Sequence, residues 1–145
     1  MLARYGWGVV GMGPGAAGAW SSWQGSALVV GCGGIGQALL AGLERRAPQL
    51  TLLGASRQDW RQGAQERWQG CVHLPLELGD DASLARLAIS LEAWQPLRLV
   101  IHTAGILHGP GLQPEKRLSQ VNRQALERSF AVNAFAPLLV AQAVE

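Results

Sequence analysis

From Ser26 onward, apolar and polar positions switch between a strand-like and a helix-like rhythm. Residues 27–30 are a continuous apolar run, Ala-Leu-Val-Val, closed by a glycine cluster. A run this short between turn residues predicts a strand buried on both faces. Residues 37–46 carry helical spacing and Pro48 stops them. Residues 50–53 predict a second strand, and the polar stretch 57–70 a short helix and loop. Residues 72–76 predict a third strand, against the mild objection of Pro75 within it. Asp80 or Asp81 can cap a helix running to about residue 94. Residues 97–101 predict a fourth strand, and a Gly/Pro loop over 105–120 leads into a last long helix. Strands alternating with helices predict an α/β fold: a doubly wound parallel sheet of Rossmann type, joined by right-handed crossovers in the order 3-2-1-4.

The first 25 residues show neither rhythm. They hold seven glycines and three tryptophans and are expected to form a poorly ordered leader before a single domain over 26–145. The leader is expected to be a flexible extension or translated sequence upstream of the true start. Gly8, Gly11, Gly13 and Pro14 break its apolar stretch, which argues against a signal peptide. The 145 residues suit one domain. With 48% hydrophobic and 15% charged residues, the composition is that of a globular chain. The net charge of +2 comes from scattered residues with no basic block, so no nucleic-acid partner is expected. No apolar run reaches the roughly 18 residues of a membrane span. Cys32 and Cys71 sit in apolar contexts that suit buried, reduced thiols, with no metal site and a cytoplasmic setting expected.

The chemistry gathers at Gly31-Cys32-Gly33-Gly34-Ile35-Gly36. This fits G-x-G-x-x-G directly after a strand and at the opening of a helix. Glycines let backbone N–H groups approach a pyrophosphate, and the helix N-terminus adds partial positive charge. An earlier match, Gly13 to Gly18, is set aside because only Val9 and Val10 precede it and no amphipathic helix follows. The genuine turn also resembles that of S-adenosylmethionine-dependent methyltransferases. Those want acids near the ends of the first two strands, where Val29 and Ser56 stand. It resembles the turn of ubiquitin-activating-type adenylating enzymes as well, but their acid after the second strand is replaced by Gly54-Ala55-Ser56-Arg57. An acid at that strand end would bind the 2′-hydroxyl of NAD, whereas Ser56 and Arg57 can donate to a 2′-phosphate. NADP is therefore expected over NAD.

Three later segments narrow the choice. Ile101-His102-Thr103-Ala104-Gly105-Ile106-Leu107, Pro114-Glu115-Lys116-Arg117-Leu118 and Phe130-Ala131-Val132-Asn133-Ala134-Phe135-Ala136-Pro137 resemble short-chain dehydrogenases/reductases in order and spacing. The branch called C-factor-like looks nearest, and the resemblance runs from about residue 26 to residue 145. It implies a NAD(P)-dependent oxidoreductase that exchanges hydride with a small carbonyl or alcohol, a homo-oligomer when full-length. By the same resemblance Gly31, Gly33, Gly34, Ile35 and Gly36 form the coenzyme turn, and Arg57, with Ser56 beside it, selects NADP. Glu77 and Leu78 flank the adenine, Ala104 and Gly105 lie beside the adenosine ribose, and Asn133 is the active-site Asn of the long helix. Three features depart from the family. The turn is one residue shorter between its first two glycines, His102 and Thr103 replace two asparagines, and Glu77 replaces Asp.

Asn133 also stands out by spacing, since Leu126, Phe130, Asn133 and Pro137 share one helical stripe. An amide on an apolar face needs a partner. In the family it helps hold a water linked to the catalytic Lys; the alternative is a bond to local backbone. His102 ends the fourth strand, where it is read as a hydrogen-bonded structural residue with a ribose contact as the lesser alternative. His73 and His108 carry no assigned role, and Asp80-Asp81 is read as helix capping. The family's Ser and Tyr-x-x-x-Lys find no match: the one tyrosine is Tyr5 and the one lysine Lys116. The expectation is an N-terminal fragment, inactive alone, with about four strands of the family's seven, no stop signal after its last helix, and residues 97–101 as an open edge. A non-catalytic dinucleotide-binding module is the other reading kept, with the methyltransferase third.

Overall fold

Four strands form one parallel sheet in the order β3-β2-β1-β4: β1 (Gly25–Val30), β2 (Leu50–Ser56), β3 (Cys71–Pro75) and β4 (Leu97–His102). The computed structural model describes residues 20–62, 65–109 and 112–145. Most of the leader, with the early glycine match, Tyr5 and Trp7, lies outside the described residues. β1 is paired on both sides, Val30 lying opposite Ala55 of β2 and His102 of β4. Both its faces are covered too, so Ala27, Leu28, Val29 and Val30 are at most 1% exposed. Ala27 and Val29 pack with Leu40 and Leu43 of helix α1 (Gly34–Arg46). Leu28 and Val30 pack on the opposite face with Leu84, Leu87 and Leu91 of helix α2 (Asp81–Leu91), and with Val140. Full burial of each such side chain contributes about 1.5–3 kcal/mol. Helices on both faces of a parallel sheet make the fold a doubly wound, Rossmann-type α/β fold, with the 3-2-1-4 order expected from the alternation.

Among the described residues regular structure starts at Gly25, ahead of the apolar run. Gly25 has φ +117°, and a Cβ there would strike the Pro96 carbonyl, which accepts from Ser26 N–H at 3.0 Å. Trp20 and Trp23 stack at 5.2 Å and pack against the α1-side core, a role the glycine-rich context concealed. Pro75 is the last residue of edge strand β3, and Leu76 N–H resumes the ladder by donating to Ser56 O. Asp80 caps α2, its side chain accepting from Ala82 N–H.

The last helix is not continuous. It comprises α3 (Arg123–Phe130), a π segment (Ala131–Phe135) and α4 (Ala136–Ala143). Pro137 explains the break, because it lacks the N–H that an α-helix would aim at the carbonyl of Asn133. The chain widens instead, and Ala136 N–H reaches back five residues to Ala131 O. The stripe through Asn133 is also not an internal face: Leu126 and Phe130 are 43% and 54% exposed.

Candidate functional site

The turn after β1 is built by close backbone approaches. Gly31 has φ +93°, and a Cβ on it would lie 2.5 Å from Ala104 N. A Cβ on Gly36 would strike the Gly31 carbonyl, so α1 seats directly on the turn. Gly33 and Gly34 instead face open space. Gly33 is the N-cap of α1 and offers no side-chain cap, leaving the first-turn N–H groups directed at the opening. Thr103 Oγ1 sits 2.7 Å from Gly31 O and Gln37 Nε2 donates to Cys32 O at 3.1 Å, fixing the turn from both ends. Cys32 is buried beneath it, and burial pushes its thiol up to about 12. A neutral, enclosed thiol is a packing group rather than a nucleophile.

The loops at the carboxyl ends of all four strands converge there on one cleft of about 1080 Å³. Gly31, Gly33, Gly34, Ile35 and Gly36 form its floor. Ser56 and Arg57 line it from the end of β2, Glu77 and Leu78 from beyond β3, and Ala104 and Gly105 from beyond β4. The structure thus brings together all eleven positions singled out for a coenzyme. Their individual settings differ. Arg57 is exposed and enters none of the ion pairs among the described residues. The Ser56 hydroxyl already donates to Gln58 O at 2.7 Å, so its single proton is committed within the loop. Glu77 is exposed, and its backbone N–H is held by Ser83 Oγ at 2.9 Å, tying this loop to α2.

Sequence reasoning passed over other wall residues. Trp60 lines the cleft with its ring over Gly54, where a Cβ would collide with it, and stands edge-on to His73 at 5.3 Å. His73 Nε2 lies 3.0 Å from Ser56 O, so it supports the strand end from behind. Asp59, also in the wall, is gripped by Arg61. Val132 and Arg128 reach the cleft from the last helical stretch. The isolated glycine in β2 was the one available signal, since it marks a close approach by another group.

Asn133 lies outside the lining but holds part of it. Its Oδ1 accepts from Ile106 N–H and its Nδ2 donates to Ile106 O, both at 2.8 Å, with a further bond to Ser129 Oγ. The amide partner is therefore backbone 27 residues away, rather than the local backbone the spacing offered. Gly105 makes room, its would-be Cβ lying 3.2 Å from Asn133 Oδ1. His102 is absent from the cleft lining, and its Nε2 is buried without a protein partner among the described residues. Burial lowers its pKa. Among the described residues no His, Cys, Asp or Glu group is arranged to hold a metal, and no helix is long and apolar enough to cross a membrane.

The open space at Gly33 and Gly34, above uncapped helix N–H groups and beside apolar Ile35, fits a dinucleotide in shape and donor set. No family model matches the chain, and no curated protein does. Solved structures do. NADPH-bound carbonyl reductase from chicken fatty liver is 26% identical with a TM-score of 0.69, the match covering 83% of this chain and 50% of that one. The carbonyl reductase Sniffer of D. melanogaster is 20% identical at TM-score 0.69, covering 84% and 51%. A short-chain type dehydrogenase/reductase from Mycobacterium ulcerans is 23% identical at TM-score 0.66, covering 85% and 46%. The chain spans about half the length of these proteins. With its sheet order, its glycine turn and these matches, the chain has the fold of the short-chain dehydrogenases/reductases, the family its sequence resembles.

Proposed function

We propose that this chain is the dinucleotide-binding part of a NADP-preferring oxidoreductase that exchanges hydride with a small carbonyl or alcohol. The observation carrying this is the convergence of loops from all four strands on one cleft, floored by a glycine turn with open space over the α1 N-terminus. When bound, the dinucleotide supplies the hydride-exchanging nicotinamide. The chain's own residues bind and orient it: the α1 N-terminus and Gly33–Gly34 take the pyrophosphate, Glu77 and Leu78 flank the adenine, and Ala104 and Gly105 border the ribose. Arg57 takes the 2′-phosphate. Its side chain is exposed at the strand end, whereas the Ser56 proton is committed to Gln58. Asn133 positions the Ile106 backbone beside this site. NADPH in the chicken carbonyl reductase structure supports the choice of cofactor.

The serine and Tyr-x-x-x-Lys of this chemistry have no counterpart in these 145 residues, so binding without turnover is expected of them alone. We place the complete protein in the cytoplasm as a homo-oligomer. Fluorescence titration with NADPH, NADH and S-adenosylmethionine tests the reading. NADPH should bind tightest, and Arg57→Ala should weaken it about tenfold while leaving NADH unchanged. Saturable binding of S-adenosylmethionine with no binding of either dinucleotide would replace it with a transferase.

A further inference from the structure

The cleft wall that follows β2 contains an acid that ought to oppose a 2′-phosphate. Asp59 lines the cleft together with Ser56 and Arg57. Its carboxylate is engaged twice by the Arg61 guanidinium, Nε to Oδ1 at 2.8 Å and Nη2 to Oδ2 at 2.7 Å. Arg61 N–H also donates to Oδ1 at 3.0 Å. The third guanidinium nitrogen, Nη1, donates to Cys71 O at 3.0 Å, anchoring the pair to the first residue of β3. Between the two partners Trp60 turns inward over Gly54. Both charged side chains are about a quarter to a third exposed, at 26% and 32%.

A parallel fork of this kind neutralises a carboxylate with fixed geometry, unlike a flexible surface pair. Resting on the NADP preference proposed above, we infer that Arg61 is a specificity-determining residue: it masks the Asp59 carboxylate so that the wall beside Arg57 accepts a 2′-phosphate. Without the mask, Asp59 presents two acceptor oxygens and a full negative charge. Those favour a ribose hydroxyl and disfavour a phosphate dianion, the discrimination that an acid near this strand end produces in dinucleotide sites. The low pKa of Asp59, about 2 with the Arg61 bond as its main cause, agrees with a carboxylate held as an anion by its partner. Arg61 does not itself serve as the phosphate ligand: it is not among the residues lining the cleft, and three of its five guanidinium N–H groups are spent on Asp59 and Cys71. The wall thus divides its labour between Arg57, which offers charge to the ligand, and Arg61, which cancels the charge that would repel it.

The test compares dissociation constants for NADPH and NADH, by equilibrium fluorescence titration at low salt, in the 145-residue chain and three variants. Arg61→Gln should lower the NADPH-over-NADH preference about tenfold. Asp59→Asn/Arg61→Gln should restore the preference, since the charge to be masked is gone. Asp59→Asn alone should keep or raise it, and this variant decides the matter if Arg61→Gln does not fold. A preference unchanged in Arg61→Gln, unrestored in the double variant, or lowered in Asp59→Asn would overturn the mask and reduce the pair to a loop staple. Failure of the NADP reading looks different: the unsubstituted chain would show no preference for NADPH, and both proposals would fall together.

Discussion

Asn133 concentrates more of this fold in one side chain than any pattern along the helix suggested. The stripe it occupies is exposed, yet its amide makes a two-bond clamp on Ile106 backbone. Each bond contributes about 0.5–1.5 kcal/mol net. Asn133→Ala should therefore lower the unfolding free energy by about 1–2 kcal/mol, read from urea denaturation, and weaken NADPH binding as the Ile106 loop relaxes. Asn133→Asp keeps the acceptor but not the donor and should fall between. Cys32 offers a second check. Burial holds its thiol neutral, with the folded pKa raised to about 12 against about 8.5 for an ordinary cysteine. Folding therefore resists ionisation. The thiol's contribution is fully present below about pH 8.5 and is lost as pH rises toward 12. Thermal melts should stay level from pH 7 to 8, above the range where His102 titrates in the unfolded chain, and drop above pH 9, less steeply in Cys32→Ala. Iodoacetamide should leave Cys32 unlabelled in the folded chain at pH 8.

The strands and their order were legible because short apolar runs and helical spacing alternate cleanly, and parallel crossovers then leave few topologies. The glycine turn was legible for a similar reason: strand, glycines and helix are contiguous in the chain. What escaped are features whose cause lies elsewhere in space. Trp60 reads as one residue of a polar loop, and its inward turn depends on the missing Cβ of Gly54 across the fold. The Asp59–Arg61 fork joins residues two apart within a loop, where neither helical nor strand periodicity applies. The π segment follows from Pro137, which is legible in the sequence, but the shift to the Ala136 N–H to Ala131 O bond depends on how the chain on both sides of the proline accommodates it. Gly54→Ala makes the β2–β3 connection testable. Its Cβ has no room beside the Trp60 ring, so the substitution should destabilise by about 1–3 kcal/mol, the usual cost of overpacking. It should also reduce NADPH affinity, because the displaced ring belongs to the cleft wall. Equal stability and affinity would mean that Trp60 is not seated over Gly54 in solution.

β4 is an edge strand among the described residues, as is β3 at the other end of the sheet. Among the described residues β4 pairs with β1 alone, and its apolar residues are only partly buried, whereas those of β1 are fully enclosed. Parallel sheets are ordinarily covered on both faces and extended on both sides of their central strands. In the last helical stretch Phe130, Phe135 and Leu138 are 54%, 55% and 71% exposed. Phe130 and Phe135 lie against each other at 6.3 Å, so part of this surface is contiguous. An apolar patch and an unpaired strand edge on one chain both favour self-association. The 145-residue chain should therefore sediment as dimers or larger species at micromolar concentration. The two surfaces can be separated by substitution. Phe135→Asp/Leu138→Asp adds charge to the helical patch without touching the sheet, and it should shift the population toward monomer if that patch drives association. If the β4 edge drives it, the variant should remain associated, while Val100→Pro, which blocks strand pairing, should disperse it at a cost in stability. A monodisperse, cooperatively melting monomer of the unsubstituted chain would show that neither surface is adhesive.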